Sequence, residues 1–220
     1  MISVAIDGPS GAGKSSLAKR LAADLGYVYV DTGAMYRSIG LYAVRQGADL
    51  RDAGAVAALL PQIRLDIRLE DGTQHIYLNG EDVSEAIRAE EIGMAASAVS
   101  AHPAVRSFLL ETQRGLAANQ NVLMDGRDIG TVVLPHATVK IFLTASAEAR
   151  AQRRCKELQE KGEPAVYETV LADIQQRDYQ DTHREVAPLK QAEDAILVDT
   201  STIGFDQSFA LLKRTILEHI

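Results

Sequence analysis

Residues 2–16, ISVAIDGPSGAGKSS, limit the possible folds more than any other stretch of this chain. Ile2, Val4, Ala5 and Ile6 form an apolar run that predicts a buried strand, closed by Asp7. Gly8-Pro9-Ser10-Gly11-Ala12-Gly13-Lys14-Ser15 then fits the pattern G-x-x-x-x-G-K-[ST]. Leu17, Leu21 and Leu25, spaced by four, predict a helix that Gly26 stops. Strand, glycine loop and helix are the setting a phosphate-binding loop needs. Glycines let consecutive backbone N–H groups converge on one anion, and the helix N-terminus adds partial positive charge there. In such a loop Gly8 to Ser16 hold nucleotide phosphates, Lys14 reaches the β- and γ-phosphates, and the Ser15 hydroxyl ligates Mg²⁺. A glycine-rich turn that binds nothing is the alternative, and the flanking strand and helix weigh against it.

The chain of 220 residues is long enough for one domain with a sizeable core and a small insertion. Its formal charge of −7 argues against a nucleic-acid surface, so any phosphate affinity must come from locally clustered arginines. Cys155 is the single cysteine, which excludes an intrachain disulfide and a cysteine zinc cluster and reads as a bystander on a helix. The N-terminus has no basic leader, and no stretch approaches the ~20 apolar residues of a membrane span. A cytoplasmic protein is expected, and a monomer, since no long apolar stripe is left for a partner.

Strand and helix alternate along most of the chain. Tyr27–Val30, Val122–Met124, Val139–Leu143 and Ala195–Val198 read as further core strands. With the first, they predict an α/β fold built on a five-stranded parallel sheet flanked by helices, with ligands at the carboxyl ends of the strands. Thr32 and Arg37 stand at one such end, Thr32 reading equally as a helix cap or a ligand contact. Residues 63–83 break the rhythm: Ile63, Leu65, Ile67 and Leu69 alternate with charged residues, and Asp71-Gly72 and Asn79-Gly80 are hairpin turns. An antiparallel insertion over about 61–84 follows, within a core of about 1–60 and 85–220, and His75 in it reads as a half-exposed strand residue. Residues 84–118 return to helix, interrupted near His102-Pro103. Ser146 reads as the N-cap of a helix that Lys161-Gly162-Glu163-Pro164 ends. Arg177, Asp181 and Arg184 share one face of the next helix, and Phe209, Leu212, Ile216 and Leu217 mark an amphipathic last one.

Phosphoryl transfer needs a held donor, an in-line acceptor and neutralised charge. Asp125, ending a core strand beside the loop, reads as a Mg²⁺ orienter through water or as a turn residue. Arg150, Arg153 and Arg154 lie at i, i+3 and i+4 and read as a short lid over the transferring phosphate, spanning about 150–166. The same triplet reads as a solvated face paired with Glu148 and Glu157. Asp128 is the sharpest specificity candidate: a carboxylate accepts but does not donate, which suits the exocyclic amine of cytosine and not the carbonyl of uracil. A local Arg127–Asp128 ion pair is the weaker alternative, because adjacent loop residues seldom face each other.

GPSGAGKS, DTGAMYR, LNGEDVSEAIR, DGRDIGTVV and QRDYQDTHREVAPL, in that order and spacing, resemble the bacterial cytidylate kinases over nearly the whole chain. The resemblance implies a phosphate-loop kinase using ATP and Mg²⁺ to phosphorylate CMP and dCMP, with the 63–83 meander enlarging its monophosphate-binding domain. It implies that Arg37, Arg127 and Arg184 clamp the CMP phosphate, with Thr32 nearby. Ser97, Arg106 and Asp128 would read cytosine, and Arg177 and Asp181 the pentose. Lys14, Arg127, Arg153, Arg154 and Arg184 would carry catalysis. A sister kinase of the same fold would differ in the insertion and in DGRD. A regulatory nucleotide switch would need a guanine-reading N-K-x-D run, which the chain lacks.

Overall fold

A computed structural model describes residues 1–70 and 73–220; the expected Asp71-Gly72 turn lies outside them. The central sheet is formed by β1 (Ser3–Asp7), β2 (Val28–Asp31), β6 (Val122–Gly126), β7 (Val139–Thr144) and β8 (Ile196–Asp199). Its order is β2-β6-β1-β7-β8, and every pairing is parallel. Placing β6 between β1 and β2 brings the carboxyl ends of all three together, with Asp7 opposite Gly126 and Asp31 opposite Asp125. Strand ends of this kind, where the chain reverses its direction of travel across the sheet, form the crevice of open α/β folds.

Helices cover both faces. α1 (Lys14–Leu25) and α8 (Phe205–Leu217) lie on one side, where Leu17, Leu21, Leu212 and Ile216 pack with Val4, Ile6 and Ile141. On the other side are α2 (Thr32–Arg45), α3 (Ala53–Leu59), α4 (Glu90–Val99) and α5 (Pro103–Ala118). They bury Met35, Ile39, Val56, Ile92, Val99 and Leu109 against Ala5, Val30 and Met124. α6 (Ala147–Glu160) and α7 (Tyr167–His183) complete the chain's helices among the described residues and pack on each other. The local signals act as the sequence implies. Gly26 ends α1 with a φ of 68°, and the Ser146 hydroxyl accepts from Ala149 N at 3.1 Å to start α6.

The insertion is a three-stranded antiparallel sheet of β3 (Leu65–Glu70), β4 (Thr73–Leu78) and β5 (Glu81–Asp82). Ile76 and Leu78 are buried on its inner face, and the Asn79-Gly80 turn joins β4 to β5. His75 is partly exposed beside Asp82, as expected. The helix expected from residue 84 begins later. The Ser84 hydroxyl accepts from Ile76 N at 3.0 Å and so serves the small sheet, and a single 3₁₀ turn at Ala86–Arg88 intervenes before α4. Gln74 ties the insertion to the main sheet, accepting from Asp31 N at 2.9 Å and donating to Asp31 O at 3.2 Å.

α2 and α4 approach closely at Gly40, where an added Cβ would lie 2.9 Å from Ala96 N. Gly40→Ala gains helix propensity but overpacks a rigid backbone contact. A net destabilisation of about 1–2 kcal/mol is expected in urea unfolding. A variant as stable as the parent would mean that the two helices separate easily.

Candidate functional site

The carboxyl ends of β1, β2 and β6 open into a cavity of about 470 Å³, floored by the glycine loop and walled by α2, α4, α6 and α7. Nine arginines and Lys14 line it against five carboxylates, so a chain of net charge −7 concentrates positive charge in one crevice. Such focusing favours a polyanionic ligand.

The loop forms because Gly8 can pass where no side chain can: a Cβ there would sit 1.9 Å from the Leu143 carbonyl oxygen of β7. Gly8 to Gly13 then lead into α1, whose N-terminus opens on the cavity beside Ser10, Gly11, Gly13, Lys14, Ser15 and Ser16. Lys14 is buried and donates to Pro9 O at 2.7 Å. Burial, and next the nearby Arg127 charge, push its ammonium down to about 7. Ser15 Oγ donates to Asp125 Oδ2 at 2.7 Å, and the Tyr29 hydroxyl donates to Asp125 Oδ1 at 3.1 Å. Burial, then the Asp31 charge, push Asp125 up to about 6. Hard oxygen donors side by side at the foot of a phosphate loop suit Mg²⁺, which prefers one or two protein oxygens completed by water and phosphate. Among the described residues no group of three or more His, Cys, Asp or Glu side chains forms a metal cage of its own.

Across the cavity from the loop lies a second set of cations. Arg37 donates to Ile87 O at 2.9 Å, and burial, then Arg88, hold its guanidinium below the ordinary arginine range. Arg177 and Arg127 add to that repulsion. Four guanidinium groups this close repel one another, which favours a bound anion even with Asp31 and Asp181 beside them. Arg127 donates to Asp181 Oδ2 at 2.7 Å; burial opposes its charge, yet the Asp181 carboxylate outweighs it and raises the guanidinium. Arg184 lies 3.7 Å from Asp128 and 3.8 Å from Asp181. Burial and Arg106 push it down, and its Nη2 is buried without a hydrogen-bond partner among the described residues. Arg106, itself buried, pairs with Asp128 and donates to Ser100 O at 3.2 Å. Ser97 lines the cavity with its hydroxyl on Gln180 Oε1 at 3.3 Å. Every arginine and carboxylate expected to hold the acceptor therefore borders one space.

Several expectations need correction. Thr32 does not cap α2; Asp31 does, accepting from Ala34 N at 2.9 Å, while the Thr32 hydroxyl donates to Asp125 O at 2.7 Å. Arg127 and Asp128, by contrast, do not pair with each other, in line with the expectation: the backbone turn sends one to Asp181 and the other to Arg106 and Arg184. Arg150 is no exposed lid residue. It is 4% exposed, pairs with Asp178 of α7 at 2.5 Å and donates to Ser10 O of the loop at 2.9 Å. Arg153 donates to Thr200 O, and Arg154 pairs with Glu157 at 3.0 Å, as the solvated-face alternative supposes, though both also border the cavity.

Sequence reasoning missed four participants. Arg88 is carried in by the 3₁₀ turn after the insertion and pairs with Asp31 at 3.1 Å. Tyr29 looks like any strand residue until β2 meets β6. Tyr36 lines the cavity with its ring 5.5 Å from the Arg106 guanidinium. Asp7 looks like a strand terminator, but its carboxylate reaches Ile129 N and Gly130 N.

Comparison with known proteins gives a consistent picture. The family model described as cytidylate kinase matches residues 4–217. The curated cytidylate kinase of Geobacter sp. (strain M21) is 49% identical over 217 residues, covering 99% of this chain and 93% of that protein. That of Geobacillus sp. (strain WCH70) is 47% identical over 219 residues, covering 100% and 98%. A solved structure of an uncharacterised protein from Eubacterium ventriosum ATCC 27560 shares the fold alone, with a TM-score of 0.50 at 13% identity over 98% of each chain.

Proposed function

The chain belongs to the cytidylate kinase family, an ATP-dependent phosphotransferase of the phosphate-loop kinase fold, and from that membership we propose that it converts CMP and dCMP to CDP and dCDP. The observation that carries the base assignment is Asp128, a buried carboxylate facing the cavity between Arg106 and Arg184. Its oxygens accept from the cytosine amine, whereas the uracil carbonyl would meet a like partial charge. Arg106 and Ser97 complete the edge reading. Arg37, Arg127 and Arg184 clamp the monophosphate, assisted by Thr32 and by Arg88, while Arg177 and Asp181 face the pentose.

In this reading the glycine loop, Gly8 to Ser16, holds the ATP phosphates on backbone N–H groups and the N-terminus of α1. Ser15 and, through water, Asp125 would hold Mg²⁺, which supplies charge neutralisation at the phosphates. An oxygen of the CMP phosphate attacks the γ-phosphorus in line, the bridging bond to the β-phosphate breaks, and ADP departs with that bond's electron pair. Lys14 and the guanidinium groups of Arg127, Arg184, Arg153 and Arg154 stabilise the charge that spreads over the transferring group. Residues about 150–166, apart from the buried Arg150, act as a lid that excludes water, and the insertion over about 61–84 extends the monophosphate-binding side. The enzyme works as a cytoplasmic monomer; among the described residues no helix is long and apolar enough to cross a membrane.

ADP formation from Mg-ATP across CMP, dCMP, UMP, AMP, GMP and shikimate tests the assignment. CMP and dCMP are expected to exceed every other acceptor by at least about tenfold in kcat/KM. Equal turnover of UMP would remove Asp128 as the base reader, and no turnover with any acceptor would overturn the reaction itself.

A further inference from the structure

The segment that presents Asp128 is tied at its far end by Arg114, which donates to Val132 O and Val133 O at 3.1 Å, and at its near end by a different group. The segment is a π-helical turn, Ile129–Val133, which Asp128 precedes without capping it by its side chain. The first N–H groups of any helical turn lack internal partners and need them from elsewhere. Here they are met across the sheet: Asp7 Oδ1 accepts from Ile129 N at 2.7 Å and Oδ2 accepts from Gly130 N at 2.7 Å. Asp7 is 5% exposed, ends β1 and directly precedes the first glycine of the phosphate loop. Burial pushes its carboxyl up to about 6, and the two N–H bonds work against that shift. Keeping a carboxylate in such a place is costly; beside the attraction of the nearby Lys14 and Arg127 charges, the return is the fixed position of residues 129 and 130. Gly130 leaves little slack, since a Cβ there would lie 3.1 Å from Lys140 Cδ and 3.4 Å from Asp7 Oδ2.

We propose that Asp7 is a positioning residue for base selection: from the strand that carries the phosphate loop, it holds the peptide groups of Ile129 and Gly130 and thereby aims Asp128 at the base. This rests on the reading of Asp128 given above. Donor and acceptor sites would then share one rigid bracket, with Asp7 acting on the base through the 128–130 backbone. An asparagine can accept from one of the two N–H groups but presents its own amide donor to the other, so Asp7→Asn releases one end of the turn while conserving shape.

Steady-state kinetics of Asp7→Asn with CMP, UMP and ATP decide the matter. Expected is a fall in kcat/KM for CMP of about 10- to 100-fold, mostly through KM, as for a misplaced contact. UMP should change by less than about threefold, since it has no hydrogen bond to Asp128 to lose, and the KM for ATP by less than about twofold, since ATP does not meet Asp128. Combined with Asp128→Ala, Asp7→Asn should lower the CMP/UMP ratio no further than Asp128→Ala does alone. Equal losses on CMP and UMP, or independent multiplication in the double variant, would overturn the proposal. Should Asp7→Asn fail to fold, Gly130→Ala presses the same turn away from Lys140 and Asp7. An about threefold lower CMP/UMP ratio then supports the idea and an unchanged ratio overturns it. Amide exchange in the unaltered protein gives an arm independent of turnover. Slow exchange at Ile129 and Gly130 supports the anchoring, and exchange as fast as in exposed loops overturns it. Absence of CMP turnover in the unaltered enzyme would instead strike the assigned function, leaving the exchange result to judge Asp7.

Discussion

Lys14→Ala is expected to lower kcat with Mg-ATP and CMP by about 10³-fold while CMP binding, read by titration calorimetry, stays within about threefold. Lys14 is a buried cation that donates to the Pro9 carbonyl, and burial with the Arg127 charge holds its ammonium down to about 7. A group held in that condition is poorly solvated until a polyanion arrives, so its full charge is expressed on the bound phosphates. The same fact predicts an effect on stability. Between about pH 7 and the ordinary lysine range, the unfolded chain holds a proton that the folded chain has given up. Stability of the ligand-free protein therefore rises with pH through that window, and the whole cost is present below it. Removing the ammonium removes the cost. Lys14→Ala should melt higher than the parent at pH 6 without ligand, and the difference should narrow as pH rises toward 10. Lost CMP binding would move Lys14 to the acceptor side, and a lower melting point at pH 6 would show that the ammonium is well compensated in the folded state.

That trade between stability and function explains why some of the site was legible in the sequence and some was not. The phosphate loop is a local object: its glycines, lysine and serine are neighbours in the chain, and the hydrophobic periods on either side name the strand and the helix. The five core strands were legible for the same reason, each being a short apolar run. Charge pairing is not local. The partner of Arg127 is Asp181, 54 residues away, and the partner of Asp128 is Arg106, on a helix that precedes it. Helix phase also hides small choices. Asp31 and Thr32 are both good caps, and only the start of α2 at Thr32 decides that aspartate caps and threonine reaches Asp125. Arg150, Arg153 and Arg154 share a face by spacing, yet the packing of α7 on α6 buries the first and leaves the others at the rim. Asp7 needed the β1–β6 register before its reach to residue 129 could be seen.

Asp128→Ala is expected to cut kcat/KM for CMP by about 10²- to 10³-fold and for UMP by less than about tenfold. The asymmetry follows from what the carboxylate does for each base. With CMP it accepts from the amine, and its loss leaves that donor buried without a partner; with UMP it faces a carbonyl, and its loss removes a repulsion. The cost to the protein is separate. Arg106 and Arg184 are both largely buried and would lose their shared carboxylate, so a destabilisation of about 3–5 kcal/mol is expected in urea unfolding of the ligand-free chain. Saturating CMP should not restore that loss, because CMP brings no carboxylate to Arg106. Asp128→Asn separates shape from charge. Its amide oxygen still accepts from cytosine, and its amide nitrogen can donate to the uracil carbonyl that the carboxylate repelled. CMP turnover should therefore fall less in the asparagine variant than in the alanine one, while UMP turnover rises above the parent's. Equal losses on both substrates in both variants would mean that Asp128 holds Arg106 and Arg184 in place and that another group reads the base.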